Sequence, residues 1–183
     1  MPDFMFEYEA IGEGLSPVCG VDEAGRGPWA GPVVAGAAIL DPETLPEDLR
    51  LGLDDSKKLK VDKREALFDR LKDHAIIAIG IASVEEIDRL NILQATMLAM
   101  TRALENLAVK PGMVLVDGNR LPSLPCPGIS IVKGDGRSLS IAAASIVAKV
   151  TRDAIMAELA ISHPGYGWQH NAGYGTKKHQ QGL

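Results

Sequence analysis

Four acidic residues lie where short strands are expected to end, and together they could form a metal site. They are Asp22, Glu23, Asp117 and Asp135. Each follows a short apolar, β-branched run and has a glycine nearby, the pattern of a carboxylate at the end of a buried strand. A carboxylate is buried at tolerable cost only when it is paired or bound to a cation. Few basic residues adjoin these four, so we predict that they bind a divalent metal ion.

The size and composition of the chain indicate one globular domain spanning residues 1–183. A chain of 183 residues can bury roughly 70% of the surface that its unfolded form exposes. No apolar run approaches the roughly 20 residues needed to span a bilayer, and the first residues lack the features of a secretion signal. Cys19 and Cys126 lie in apolar contexts typical of reduced thiols. We therefore expect a cytoplasmic protein without membrane contact, and we expect it to be monomeric.

The net charge of −5 excludes a protein that is coated in basic residues for nucleic-acid binding. It does not exclude a local basic groove around an acidic metal site.

The hydrophobic periodicity predicts an α/β fold, a mixed sheet of about five strands flanked by helices. The predicted strands are Cys19–Asp22, Val33–Leu40, Ile76–Ala82, Val114–Val116 and Ile129–Val132. The predicted helices are Val61–Asp73, Ser83–Ala108 in two pieces that break near Asn91, and Ser138–Ala160. Residues 41–60 are expected to form a mostly polar loop. Residues 161–183 are expected to form a short C-terminal extension of helix and loop, in which the Gly-, His- and aromatic-rich stretch is a functional loop rather than a helix.

A glycine-rich segment follows the first predicted strand. Gly25, Gly27 and Gly31 have the spacing G-x-G-x-x-x-G, and Pro32 with a β-branched run follows instead of a helix. This spacing excludes the dinucleotide-binding fingerprint. The glycines would instead let backbone N–H groups approach a ligand, and Arg26 offers a forked donor for phosphate.

Six ordered motifs, spread over nearly the whole chain, resemble bacterial ribonuclease HII, the type 2 ribonucleases H. They are GVDEAGRGPWAGPV (20–33), DDSKKL (54–59), VDGN (116–119), KGD (133–135), IAAASIVAKVTRD (141–153) and HPGYG with NAGYGT (163–176). The resemblance implies a ribonuclease H-like fold and dependence on Mg²⁺ or Mn²⁺. It also implies an endonuclease that cleaves the RNA strand of RNA–DNA hybrids and cleaves at single ribonucleotides embedded in duplex DNA. The products would have 5′-phosphate and 3′-hydroxyl ends, as ribonucleotide excision requires.

By this resemblance Asp22, Glu23, Asp117 and Asp135 are the metal-binding catalytic carboxylates. Phosphodiester hydrolysis needs an activated water and a stabilised leaving oxygen, which two cations roughly 4 Å apart can supply together. Oxygen ligands favour Mg²⁺ or Mn²⁺ over Zn²⁺. Neighbours on a regular strand point to opposite faces, so Asp22 and Glu23 can share one metal only if the strand twists or ends there. We assign Asp22 the bridging position and Glu23 a flanking one.

The remaining charged candidates have more ordinary alternatives. Asp153 is a rival fourth carboxylate, but a lysine lies four residues earlier on the same predicted helix, which favours an ion pair. Asp54 and Asp55 are expected to form turns. Lys57 and Lys58 are either phosphate contacts or solvated charges.

The resemblance implies that Tyr174 packs against the sugar beside the ribonucleotide, while the backbone of Gly25, Arg26 and Gly27 meets the 2′-OH. A protein that distinguishes RNA from DNA needs both kinds of contact. Tyr166 and Trp168 are alternatives, with core packing as the simpler interpretation. The three histidines of this region lack zinc-ligand spacing, so we interpret them as loop structure or phosphate neighbours. They are His163, His170 and His179.

Two other classes of function compete with a ribonuclease H. A 3′–5′ exonuclease or junction resolvase of the same broad fold also uses clustered carboxylates, but typically places Asp-x-Glu on the first strand. A non-catalytic hybrid-binding module would not need acids that repel phosphates. Members of the family that the chain resembles usually continue past the equivalent of Leu183 with a further helix and a short basic tail. We therefore expect the substrate affinity of this chain to differ from theirs more than its catalytic chemistry does.

Overall fold

The computed structural model describes residues 1–183 and contains five strands and eight α-helices. The strands are β1 Val18–Ala24, β2 Val33–Leu40, β3 Ala75–Ala82, β4 Met113–Asp117 and β5 Gly128–Ile131. The helices are α1 Met5–Gly12, α2 Glu47–Gly52, α3 Val61–His74, α4 Val84–Leu90, α5 Ile92–Glu105, α6 Leu139–Ser162, α7 Trp168–Asn171 and α8 Lys177–Gly182. A 3₁₀ turn, Gly134–Gly136, precedes α6.

The strands form one mixed sheet in the order β3-β2-β1-β4-β5. The pairs β1/β2 and β2/β3 are antiparallel, whereas β1/β4 and β4/β5 are parallel. The carboxyl ends of β1, β4 and β5 therefore lie at the same edge of the sheet, where α/β folds place their ligand sites. This arrangement confirms the predicted mixed five-stranded sheet flanked by helices.

Helices cover both faces of the sheet. The core on one face joins α5 to alternate residues of β1 and β2, and the core on the other joins α6, α3 and α2 to the intervening residues. Helix α6 approaches the sheet closely because glycine lies beneath it. A Cβ on Gly20 would collide with the backbone of Ser140, and a Cβ on Gly36 would collide with the carbonyl of Ala144. The face of β1 that bears Gly20 and Asp22 is thus the face that α6 covers.

The predicted helix break near Asn91 is present and has a clear local cause. Ser83 and Glu86 form a capping box at the start of α4, in which Glu86 N donates to Ser83 Oγ at 3.3 Å and Ser83 N donates to Glu86 Oε2 at 3.0 Å. Asn91 has a φ of 71° and accepts hydrogen bonds from Leu93 N and Gln94 N. Its side chain therefore ends one helix and caps the next.

The structure differs from the predicted local structure at three places. Helix α1 was not predicted, and residues 41–60 are not wholly loop, because α2 lies within them and contributes the buried Leu49 to the core. The predicted C-terminal extension of helix and loop is present, but its Gly-, His- and aromatic-rich stretch is not a loop throughout, since α6 continues to Ser162 and α7 and α8 follow. Both cysteines are free, and burial raises the pKa of Cys19 to about 12. No helix combines the length and the apolar character that a membrane crossing requires.

Candidate active site

Asp22 and Asp117 lie side by side at the carboxyl ends of two parallel strands. Val21 of β1 is in register with Val116 of β4, so the residues that follow them, Asp22 and Asp117, lie next to each other. Asp22 is only 5% exposed, and its Oδ1 accepts a hydrogen bond from Glu23 N at 2.7 Å. Burial, and then the charges of Glu23 and Asp117, raise the pKa of Asp22 well above its ordinary value. These two carboxylates form the centre of the acidic cluster.

Asp135 joins the cluster through the 3₁₀ turn that follows β5. Asp117 Oδ1 accepts a hydrogen bond from Gly134 N at 2.7 Å, which ties the end of β4 to this turn. Burial raises the pKa of Asp135, and the charges of Asp55 and Asp117 raise it further. Asp55, expected only as a turn former, therefore also contributes negative charge here, while its Oδ1 accepts a hydrogen bond from Lys57 N at 2.9 Å.

Glu23 follows Asp22 directly, and on a regular strand its side chain would point to the opposite face of the sheet. It lies one residue before the end of β1, and its Oε1 accepts a hydrogen bond from Arg26 Nη1 at 3.3 Å. Burial raises the pKa of Glu23; Arg26 lowers it, and the charge of Asp117 raises it again. Glu23 is thus coupled electrostatically to the cluster, although no group of three or more His, Cys, Asp or Glu side chains has the geometry to hold a metal ion.

Lys57 is a basic residue that the fold brings to these acids. Lys57 is an exposed residue of the loop between α2 and α3, and its side chain lies near enough to the acidic cluster to interact with it. Burial lowers the pKa of Lys57, yet the charges of Asp22, Asp55, Asp135 and Glu23 raise it overall. Lys57 was considered from the sequence as a possible phosphate contact, but its proximity to these carboxylates was not predicted.

Lys58 has a different environment from Lys57. Its Nζ lies 3.1 Å from Asp54 Oδ1 in an ion pair that is largely exposed to solvent. Asp54 Oδ1 also accepts a hydrogen bond from Asp55 N at 2.8 Å, as expected for a turn former. Asp54, and then the charges of Asp55 and Asp135, raise the pKa of Lys58. Lys57 differs in that it also lines the cleft with Glu23 and is influenced by the charge of Asp22.

The glycine-rich segment and Tyr174 share a cleft with Glu23 and Lys57. The cleft has a volume of about 100 Å³ and is lined by Glu23, Ala24, Gly25, Arg26, Gly27, Ser56, Lys57, Lys149, Arg152 and Tyr174. A Cβ on Gly27 would lie 3.5 Å from Tyr174 Cε1, so the ring packs over this glycine. The structure therefore brings together residues that are 150 positions apart in the sequence. A larger cavity of about 380 Å³ beside the end of α5 contains no acidic cluster.

Arg152 is a residue of this site that the sequence analysis missed. It is 1% exposed and donates three hydrogen bonds to carbonyl oxygens, from Nε to Pro32 at 2.9 Å, from Nη2 to Ala30 at 2.9 Å and from Nη1 to Ala172 at 2.8 Å. It thereby fastens the glycine-rich segment to the chain just before Tyr174. A Cβ on Gly25 would collide with the Arg152 side chain.

Ser56 and Ser145 form a second link that was missed. Their hydroxyl groups are 2.8 Å apart and buried, and Ser145 lies near enough to Asp22 to lower the pKa of that carboxyl group. Arg64 Nη1 donates to the carbonyl of Ser56 at 2.6 Å. The loop that contains Lys57 is thus anchored to α6 next to Asp22.

The alternatives at Asp153, Tyr166 and Trp168 are also resolved by contacts. Lys149 Nζ lies 2.7 Å from Asp153 Oδ1, and Arg64 Nη2 lies 3.5 Å from Asp153 Oδ2, so the predicted ion pair is present. The rings of Tyr166 and Trp168 stack with centroids 4.8 Å apart. Packing within the C-terminal segment accounts for both aromatic residues.

The sequence matches the family model for ribonuclease HII over residues 19–183. The chain belongs to the ribonuclease HII family. The ribonuclease HII of Paramagnetospirillum magneticum is 59% identical over 183 residues, which cover 100% of this chain and 89% of that protein. The ribonuclease HII of Jannaschia sp. is 58% identical over 183 residues, which cover 100% of this chain and 88% of that protein.

Solved structures agree with this assignment. The crystal structure of ribonuclease H2 from Pyrococcus horikoshii is similar with a TM-score of 0.75 and 32% identity, covering 89% of this chain and 82% of that one. Ribonuclease HII from Archaeoglobus fulgidus, solved in a complex with PCNA, has a TM-score of 0.69 and 26% identity, covering 89% and 84%. As a member of the ribonuclease HII family, the protein is an endoribonuclease H that acts on RNA–DNA hybrids. Of the three classes of function considered from the sequence, the family supports the first.

Proposed function

We propose that this protein is a divalent-metal-dependent endonuclease that cleaves RNA in RNA–DNA hybrids and also cleaves at a single ribonucleotide embedded in duplex DNA. The observation that supports it most directly is the joining of two sites: an acidic cluster at the strand ends, and a cleft formed by Gly25–Gly27 and Tyr174. The first suits phosphodiester hydrolysis, and the second suits recognition of a sugar. The cleavage would leave 5′-phosphate and 3′-hydroxyl ends.

No three of its side chains are arranged as ligands of one ion in this structure, but the chemistry of the acidic cluster suits a hard cation. Its donors are carboxylate oxygens, which favour Mg²⁺ or Mn²⁺. Burial raises the pKa values of Asp22, Glu23 and Asp135, and neighbouring carboxylates add to this effect, so a bound cation would offset the cost of keeping them charged. We assign Asp22, Glu23, Asp117 and Asp135 as the residues that would hold the ions. When bound, such ions activate water and stabilise the leaving oxygen. A crystal structure of a ribonuclease HIII in complex with Mn²⁺ is similar to this chain with a TM-score of 0.62 and 19% sequence identity, and this similarity supports the fold alone.

The cleft would select the ribonucleotide. The glycines at positions 25 and 27 have no side chain, so the backbone of the segment Gly25–Gly27 can approach the 2′-OH closely. Tyr174 is 44% exposed and would pack on the neighbouring deoxyribose. Lys57, beside the acids, is the stronger candidate for a phosphate contact, and Lys58 the weaker one.

Residues 1–183 would act as one catalytic domain, in which residues 161–183 form the substrate-binding segment. The substrates are RNA–DNA hybrid and ribonucleotide-containing duplex DNA. A monomeric state and a cytoplasmic location stay predictions from the sequence.

The test is a cleavage assay on duplex DNA containing one ribonucleotide, with the all-DNA duplex as the control. We expect cleavage only of the ribonucleotide-containing duplex, only with added Mg²⁺ or Mn²⁺, and none with a chelator. Asp22→Asn and Asp117→Asn preserve shape but remove charge, so the rate should fall by orders of magnitude. Asp153→Asn is the matched control and should retain most of the activity. A comparable rate for Asp22→Asn in Mg²⁺ would overturn the metal-site assignment.

A further inference from the structure

His179 is a buried side chain in the C-terminal segment whose two ring nitrogens both have partners. It is 1% exposed. Trp168 Nε1 lies 3.2 Å from His179 Nε2, and His179 Nδ1 lies 3.0 Å from the carbonyl oxygen of Tyr174. An indole N–H is only a donor, so Nε2 must accept and cannot bear a proton. The proton is therefore on Nδ1, which donates to Tyr174 O, and the ring is neutral.

Trp29 contacts both His179 and the turn that bears Tyr174. The rings of His179 and Trp29 have centroids 5.7 Å apart, and Trp29 N donates a hydrogen bond to Gly173 O at 2.9 Å. A Cβ on Gly175 would collide with the Trp29 ring. The residues on both sides of Tyr174 are thus held against Trp29, which belongs to the glycine-rich segment.

Tyr174 has no comparable restraint on its own side chain. Its hydroxyl group makes no hydrogen bond in the structure, and its ring is 44% exposed over Gly27. Its carbonyl oxygen accepts from both Thr176 N, at 2.8 Å, and His179 Nδ1. The position of the ring is therefore set through the backbone.

We propose that His179 is a positioning residue for ribonucleotide recognition, in which the neutral imidazole fixes the Tyr174 backbone so that the ring stays over Gly27. The proposal rests on the proposed role of Tyr174 in packing on the sugar next to the ribonucleotide. It also corrects the interpretation of His179 as a phosphate neighbour, because a side chain that is 1% exposed does not reach substrate.

The test compares kcat/KM on two substrates, duplex DNA with one ribonucleotide and a uniform RNA–DNA hybrid. The sugar next to the cleaved position is a deoxyribose only in the first, so loss of Tyr174 positioning should reduce the ratio of the two values. A loss of folded protein would reduce both values equally. His179→Phe keeps a ring but removes both hydrogen bonds, of which only the one to the Tyr174 carbonyl holds Tyr174. We expect this variant to reduce the ratio roughly two- to tenfold, which corresponds to the loss of that one hydrogen bond. The matched control is His170→Phe, because His170 is exposed and makes no side-chain hydrogen bond. It should leave the ratio unchanged.

A double variant separates this inference from the function it rests on. If Tyr174 does the sensing, His179→Phe should reduce the ratio no further when Tyr174→Ala is already present. No change in the ratio for Tyr174→Ala would refute the proposed role of Tyr174. A reduced ratio for Tyr174→Ala but an unchanged ratio for His179→Phe would refute only the positioning role of His179.

Two further measurements apply if His179→Phe does not fold. His179→Asn retains an amide N–H near the position of Nδ1, and its ratio should lie close to that of the parent protein. In the parent, ¹⁵N NMR of labelled histidine should show one buried ring with Nδ1 protonated and Nε2 unprotonated. The opposite tautomer, or an imidazolium at neutral pH, would overturn the proposal.

Discussion

Replacing Asp22 by Asn should stabilise the metal-free protein while it removes cleavage. Asp22 is 5% exposed, and burial together with the charges of Glu23 and Asp117 raises its pKa. The unprotonated carboxylate is therefore unfavourable in the folded protein. Asn keeps the shape and can still accept the 2.7 Å hydrogen bond from Glu23 N. It removes the charge that the fold tolerates poorly.

The effect has a defined dependence on pH. The pKa of Asp22 is higher in the folded protein than in the unfolded chain, where an Asp titrates near about 3.9. The contribution of this group to folding is fully present below that pH and is lost as the pH rises through the raised folded-state pKa. The Asn variant has no such loss. The unfolding free energies of parent and variant should thus converge at acid pH and diverge as the pH rises, with the variant the more stable.

The expected size can be measured by thermal unfolding. One pKa unit corresponds to about 1.4 kcal/mol, and in a domain of this size about 1 kcal/mol moves Tm by roughly 2–4 °C. Because burial and two carboxylates all raise the pKa of Asp22, we expect the variant to melt several degrees above the parent in chelator at about pH 8. Added Mg²⁺ or Mn²⁺ should raise the Tm of the parent and have little effect on that of the variant.

Asp153→Asn provides the matched control with the opposite sign. Asp153 is paired with Lys149 and Arg64, so removing its charge takes the ion-pair partner from both cations and should lower Tm, although Arg64 keeps its hydrogen bond to the Ser56 carbonyl. If Asp22→Asn also lowers Tm under the same conditions, Asp22 is held by net favourable contacts and the acidic cluster is structural. That result would refute the reasoning.

Three further predictions concern substrate contacts and packing. Lys57→Ala should flatten the slope of log affinity against log salt by about one, whereas Lys58→Ala should leave it unchanged; equal slopes would show that Lys57 meets no phosphate. Tyr174→Ala should reduce kcat/KM on the one-ribonucleotide duplex roughly ten- to a hundredfold, the worth of one aromatic stacking contact. Tyr174→Phe should retain most of it, since the hydroxyl makes no hydrogen bond, and an unaffected Ala variant would assign Tyr174 to packing. Gly36→Ala should cost about 1–3 kcal/mol in unfolding free energy, because the new Cβ meets the carbonyl of Ala144, and an unchanged denaturation midpoint would show that α6 can move away from the sheet.

The sheet could be predicted from the sequence because its strands have simple patterns. All five were located, and β2 has the predicted bounds, Val33–Leu40, since a run of apolar residues between glycine and proline signals has few other interpretations. Helix α1 was missed because its burial does not follow its hydrophobicity. Glu7 is 1% exposed while Met5 is 57% exposed. The Glu7 carboxylate accepts hydrogen bonds from Ser138 Oγ at 2.7 Å and Ser140 N at 2.9 Å, partners that only the folded chain brings near.

The candidate site could be predicted where side chains were expected to act directly on a ligand. The acids end apolar runs and the glycines have a distinctive spacing, whereas Tyr174 was named through the family resemblance. The register of β1 and β4 then places Asp22 beside Asp117. The proximity of Lys57 could not be predicted, because it depends on a buried contact between Ser56 and Ser145 that joins a loop to a helix 89 residues away.

Arg152 and His179 show which part of the proposed ribonucleotide-recognition cleft could not be predicted from the sequence. Both are buried, and both donate to backbone carbonyl oxygens rather than to side chains. Such an acceptor cannot be identified from the sequence, because every residue has a backbone carbonyl group. Arg152 joins the glycine-rich segment to Ala172, and His179 holds Tyr174 two residues further on. Together with Trp29, which contacts Gly173 and Gly175, these two side chains therefore help to set the distance between the proposed 2′-OH contacts and the proposed sugar-packing ring, and neither of the two would touch substrate.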